Sequence, residues 1–181
     1  YIVEVTDSNG CTDTKKFTVV ESSPALITDI TIFDFNGGSN TVTIEYSGSG
    51  DYEFSLDGNT FQDDPTFYNV PSGIYTVYVN DINECGKVSK EIFVLDYPKY
   101  FTPNGDGYND TWFIKNLDKR NLENSVITVF DRYGKLLKQI SGVSEGWNGT
   151  FNGNLLPGSD YWFEIKLTNG KSVKGHFTLK R

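Results

Sequence analysis

At 181 residues the chain has room for one large domain or two small ones, and 37% hydrophobic with 15% aromatic residues is enough to build real cores. No apolar run approaches the roughly 20 residues of a membrane helix. One histidine, His176, and two cysteines outside any CxxC pair, Cys11 and Cys85, supply no structural zinc set. The net charge of −8 divides into −12 over residues 1–96 and +4 over residues 97–181, which suggests two units in different surroundings. The basic residues of the second stretch alternate with acids and form no run, so a nucleic-acid footprint is not expected.

Taken in chain order, the hydrophobic period is close to two almost everywhere. Tyr1-Ile-Val-Glu-Val5 opens the sequence like the interior of a strand, so the stretch is expected to be the tail of a longer protein, with any targeting segment upstream. Thr43–Tyr46, Tyr75–Val79 and Val126–Phe130 are β-rich runs, and Asn9-Gly10, Asp57-Gly58, Asn152-Gly153 and Asn169-Gly170 are turn dipeptides. The last pair marks a hairpin: Phe163, Ile165 and Leu167 lead in, and Val173, Phe177 and Leu179 lead out. Nothing has a helical period. The spacing predicts an all-β chain of tandem Ig-like β-sandwich domains.

A repeat is visible as well. Tyr1-Ile-Val-Glu-Val-Thr-Asp7-Ser-Asn9-Gly-Cys11 aligns with Tyr75-Thr-Val-Tyr-Val-Asn-Asp81-Ile-Asn83-Glu-Cys85, an offset of 74 residues. This predicts the last hairpin of one Ig-like repeat over 1–21, a whole repeat over 22–96, and a different unit over 97–181. Cys11 and Cys85 then hold equivalent positions in successive units, too far apart to bridge. They are expected to be small buried hydrophobes, unpaired or paired outside this stretch.

Residues 97–181 carry a set of ordered motifs. These are Phe101-Thr-Pro-Asn104-Gly-Asp106-Gly-Tyr108-Asn-Asp110-Thr111, then Val129-Phe-Asp131-Arg132-Tyr133-Gly134, then Trp147-Asn-Gly149, then Leu156-Pro-Gly158 before Tyr161-Trp162, and finally Gly175 with the ending Leu179-Lys180-Arg181. Together they resemble the type B C-terminal sorting domain of the type IX secretion system, also called the gliding-motility-associated C-terminal domain. Asp131 stands where Asn is usual, Tyr133 where Trp is common, and Ser159-Asp160 lengthens the Pro-Gly-aromatic step. Residues 22–96, through Tyr52–Gly58, Phe61-Gln62 and Val70-Pro-Ser-Gly-Ile-Tyr75, are similar to the Ig-like repeats of SprB-type gliding adhesins.

The resemblance implies a folded export signal that crosses the outer membrane through type IX translocon components. It also implies retention at the cell surface, associated with the outer membrane, by a partner β-barrel of the PorP/SprF type. The whole is then the end of a large gliding adhesin with surface glycans as possible ligands. The alternative is a glycan-binding module and sorting domain ending a secreted polysaccharide-degrading enzyme.

The motif residues Asn104, Gly105, Asp106, Gly107, Asn109, Asp110, Arg132, Tyr133, Gly134, Trp147, Lys180 and Arg181 are the candidate partner-binding set. Arg132 either meets a partner or pairs locally with Asp131 or Asp160. Asn104, Asp106, Tyr108 and Asp110 have part of the spacing of a calcium loop, but Asn109 replaces the expected glycine and no Glu follows at position 12. The competing reading is an Asx-turn loop bonding its own backbone. Trp112, Trp147 and Trp162 could stack on sugars, although sandwich cores want such residues and core packing is expected for them. Asn109-Asp-Thr111 and Asn148-Gly-Thr150 fit the glycosylation pattern but are explained by turn chemistry. His176 is expected to face solvent with no nucleophile beside it, and no two carboxylates are marked as a converging pair, so no enzyme activity and no cofactor are expected.

Overall fold

The structure, a computed structural model, describes residues 1–19, 21–142 and 144–181. Its described residues are nearly all β. The strands are β1 (Ile2–Thr6), β2 (Thr12–Lys16), β3 (Leu26–Phe33), β4 (Asn40–Ser47), β5 (Tyr52–Ser55), β6 (Thr66–Val70), β7 (Gly73–Asp81), β8 (Lys87–Val94), β9 (Tyr100–Phe101), β10 (Val126–Phe130), β11 (Leu136–Ser141), β12 (Thr150–Phe151), β13 (Asn154–Leu155), β14 (Ser159–Lys166) and β15 (Ser172–Leu179). One 3₁₀ turn, Asp118–Arg120, interrupts them. No helix among the described residues is long and apolar enough to cross a membrane.

β1 and β2 form an antiparallel hairpin whose residues are all exposed. Beyond it, two three-stranded sheets, β3-β4-β6 and β5-β7-β8, enclose one core. Strand alternation builds it: Val42 and Ile44 of β4, Phe54 of β5, Val77 and Val79 of β7, and Ile92 and Val94 of β8 all point inward. Each such side chain contributes about 1.5–3 kcal/mol by leaving water.

The Asp-x-Asn-x-Cys repeat takes the same form twice. Asp7 Oδ1 accepts the Asn9 and Cys11 amides at 2.8 and 2.9 Å. Asp81 accepts the Asn83 and Cys85 amides at 3.4 and 3.2 Å. These are Asx turns closing a β-hairpin. Asp81 also receives the Ser22 hydroxyl at 2.7 Å, which ties the segment before β3 to the hairpin. The Ser22 hydroxyl above all, then the Asn83 and Cys85 groups, hold its carboxyl down to about 2. A depressed carboxylate stabilises the fold above its unfolded value near 3.8, and that stabilisation is lost as pH falls toward about 2. Thermal melts between about pH 4 and pH 2 are therefore expected to fall steeply for the native protein and less steeply for Asp81→Asn. Equal slopes would show that the carboxylate is not the group titrating.

Both cysteines are free and exposed, contrary to their expected burial. In the second loop the buried Asp81, not Cys85, fills the interior position, while in the first the whole hairpin, Asp7 included, is exposed.

A second core runs from Leu95 to Leu179 beneath the five-stranded sheet β11-β10-β14-β15-β9. The alternation predicted for the Asn169-Gly170 hairpin is present. Ile165 pairs Val173, Tyr161 pairs Phe177, and Phe163, Ile165, Phe177 and Leu179 are buried. The opposite face is closed by Trp112, Ile114, Leu117, Leu122 and Trp147, and by the β12–β13 ribbon. Among its described residues the unit thus has seven strands, divided five and two. β9 lies parallel to β15, with Tyr100 beside Thr178 and Phe101 beside Leu179.

Candidate functional site: one end of the terminal sheet

Strand direction decides where the motifs meet. β10 runs antiparallel to β14, and β14 to β15, so the end of β10, the start of β14 and the end of β15 share one end of the sheet. The Arg132 turn leaves β10 there, Pro157-Gly158 enters β14 there, and Lys180-Arg181 follows β15 there. Arg181 completes the gathering. Its Nε donates to Leu156 O at 2.8 Å and its Nη2 to Gly149 O at 3.2 Å, clamping the Trp-x-Gly turn to the chain's last residues. The Asn104–Asp110 loop also departs from this end, directly after Phe101.

In the β10–β11 turn, Asp131 Oδ1 accepts the Tyr133 and Lys135 amides at 2.8 and 2.9 Å, and Gly134 takes φ 79. Arg132 is thereby turned sideways, and its Nη2 donates to Ser159 Oγ at 2.9 Å. Neither carboxylate expected to neutralise it does so: Asp131 caps its own turn, and Asp160 accepts the Thr178 hydroxyl at 2.6 Å. Among the described residues no carboxylate lies within ion-pair distance of Arg132. Tyr133 is 86% exposed. Lys180 lies over the exposed Tyr100 ring, with Nζ 4.1 Å from its centre.

The Asn104–Asp110 loop turns its polar atoms onto itself. Asp110 accepts the Gly105 and Gly107 amides at 2.7 and 2.8 Å, which lower its carboxyl below the usual range. Asp106 accepts the Tyr108 amide at 2.7 Å and the Asn104 side-chain amide at 2.7 Å. The loop has the self-bonded Asx geometry, and Tyr108 projects into solvent. Asn109 takes φ 53 and its carbonyl accepts the Thr102 amide at 2.8 Å, so this polar string shapes a surface from its backbone outward.

The tryptophans divide differently from expectation. Trp147 is 1% exposed, with Nε1 donating to Thr150 O at 2.9 Å and its ring against Tyr161. A buried ring cannot touch a partner, so Trp147 acts by shaping the turn and not as a contact residue. Trp112 is equally buried. Trp162, by contrast, is 41% exposed because it shares strand parity with Asp160 and Glu164 on the outer face. With Phe130, Arg132, Glu164, Lys174 and the exposed His176 it lines a groove of about 600 Å³. The strict alternation of Tyr161-Trp162-Phe163 carried the signal for this outward ring.

A further equivalence joins the two units. Tyr75 donates its hydroxyl to Pro71 O at 3.1 Å, and Tyr161 to Pro157 O at 2.8 Å. Pro-x-Gly-x-Tyr and Pro-Gly-Ser-Asp-Tyr thus make the same corner at the start of β7 and of β14.

This is an all-β pair of units in which the second presents turns, a basic end and no converging catalytic groups among its described residues. Residues 95–179 match the family model described as CHU_C, Type IX secretion signal domain, and the terminal unit is a sorting domain of that class. Domains of this family are non-catalytic signals for export across the outer membrane to the cell surface by the type IX machinery. No curated protein matches the chain. Among solved structures it is similar to dimeric latent PorU from Porphyromonas gingivalis, at 15% identity and TM-score 0.32 over 87% of this chain and 20% of that one. It is also similar to the BSP domain of a biofilm-associated protein, at 14% identity and TM-score 0.33 over 89% and 29%. A third is Tp47, the 47-kilodalton lipoprotein of Treponema pallidum, at 12% identity and TM-score 0.29 over 96% and 56%. The chain therefore spans well under two thirds of each of these proteins.

Proposed function

We propose that the chain is the end of a large cell-surface gliding adhesin. Residues 1–21 close a preceding Ig-like repeat, residues 22–96 form a spacing repeat, and residues 97–181 act as the type B sorting domain. In this reading the terminal unit is exported through the type IX translocon and then held at the surface by an outer-membrane β-barrel of the PorP/SprF type. The contact surface is the motif end of the sheet: Arg132, Tyr133 and Gly134, the Asn104–Asp110 loop, and Lys180. Arg181 and Trp147 support that surface from behind.

The observation that carries this reading is the uncompensated Arg132 beside an exposed Tyr133, held rigidly by the Asp131 cap. Both are exposed in the free chain, and Arg and Tyr are among the residue types enriched at the energetic centres of protein interfaces. The test is retrieval from detergent-solubilised outer membranes with the whole chain as bait. Recovery of a β-barrel that falls at least about tenfold for Arg132→Ala is expected, equivalent to about 1.4 kcal/mol. Undiminished recovery by the variant would move the contact elsewhere. Deleting residues 95–181 from the complete protein is expected to leave it in the periplasm, and surface display without them would end the sorting assignment.

A further inference from the structure

The terminal unit has a socket beside its first residues, filled by a turn of the preceding repeat whose Gly37 and Gly38 share a cleft with Gly107–Asp110 of the motif loop. That turn joins β3 to β4 and is rigidly framed. Asn40, completely buried, donates from Nδ2 to Val70 O at 3.0 Å and accepts the Asn36 amide at 3.0 Å. Asn36 Nδ2 in turn donates to Ser39 O at 3.2 Å.

The frame holds Phe35 at φ 62. A bulky residue rarely takes this left-handed conformation, and such strain persists only where the surroundings over-determine it. Here part of those surroundings belongs to the other unit. The Phe35 ring packs against the terminal core, not the core of its own repeat. Its amide donates to Leu95 O at 3.1 Å. Asp34 pairs with Arg120, the last residue of the 3₁₀ turn, and accepts the Leu95 amide at 3.4 Å. Gly38 donates its amide to Asp96 Oδ2 at 2.6 Å. Phe33, two residues earlier, points into solvent.

We propose that the terminal domain, whose packed core starts at Leu95 and not at residue 97, carries a docking socket for an Asp–aromatic turn, formed by Leu95, Asp96 and Arg120, and that its partner is the β3–β4 turn of the repeat before it. The folding unit of the sorting domain therefore includes residues 34–38 in addition to 95–179. This holds whatever the motif end binds.

Hydrogen exchange on the whole chain tests it. In Phe35→Ala, exchange at Ile127, Phe163 and Phe177 is expected to rise about tenfold or more, while Val42 and Val77 in the repeat stay within about twofold of the native protein. Phe33→Ala should alter neither set. Unchanged terminal amides in Phe35→Ala would overturn the socket. Equal loss in both cores would overturn it too, by showing that Phe35 serves its own repeat. Should Phe35→Ala fail to fold, Asp34→Asn carries the test, since it removes the charge facing Arg120 but leaves the ring and turn. Its expected result is a smaller rise confined to the terminal amides, and its overturning result is no rise there.

Discussion

Trp112→Ala is expected to destabilise the terminal domain by about 4 kcal/mol, within the range for emptying a tryptophan site in a core. The ring is completely buried and stacks on Phe177, with centroids 4.0 Å apart and planes within 13°. It also tilts against Phe163 at 5.0 Å, and its Nε1 donates to Pro98 O at 2.8 Å. Truncation therefore leaves a cavity beneath the middle of the sheet and an unpartnered carbonyl beside it, and the two costs add. Domains have only about 5–15 kcal/mol in hand, so about a quarter or more of the stability goes. Trp112→Phe keeps the stack and loses the hydrogen bond, so about 1–2 kcal/mol is expected. Urea titration followed by near-ultraviolet circular dichroism reads both. Similar midpoints for the two variants would show that the stacked ring is not the main contributor.

The second large effect is expected at Gly149, in the Trp-x-Gly turn. Its φ is 77, and a Cβ there would collide with Leu179 Cδ1 and come within 3.4 Å of Phe101 Cζ. Gly149→Ala therefore combines left-handed strain of about 1–2 kcal/mol with overpacking of about 1–3 kcal/mol. A total of about 2–5 kcal/mol is expected. Gly153 provides the comparison, because its φ is 78 but nothing lies within 4 Å of a Cβ. Gly153→Ala should show the strain alone, about 1–2 kcal/mol. If the two alanines cost the same, the crowding against Leu179 is not felt. The motif glycine is thus required by the strand end packed on it, and the Arg181 clamp on Gly149 O requires the same close approach.

How much of this was legible in the sequence depended on range. The β14–β15 hairpin was readable residue by residue, because alternation and the Asn169-Gly170 turn are local. So was the repeat, since Asp7 and Asp81 cap loops through neighbouring amides. Trp162 was legible and misjudged: residue type suggested a core ring, and parity, the stronger local rule, puts it outside. The pairing of Trp112 with Trp147 had no local signal, because a single isolated bridge joins two irregular segments. Nor did the gathering of the motifs at one end, which depends on β9 lying parallel to β15. Asp34-Phe35-Asn36-Gly37-Gly38 reads as a simple turn, and only the three-dimensional neighbour explains why an aromatic residue stands in it.

The parallel pairing of β9 with β15 also fixes how the terminal domain answers a mechanical load. The chain enters from the preceding repeat through Leu95–Lys99, and β15 leads out to Arg181. Tension between these two points drags β9 backward along a strand pulled forward, so the load is shear. Thr178 donates to Lys99 O at 2.9 Å and Lys180 to Phe101 O at 3.0 Å, and in shear these bonds share the force instead of opening one after another. Peeling is the weaker geometry, and β9 is not peeled. A strand of only two residues can thereby act as the clamp of a domain held at one end and tugged at the other.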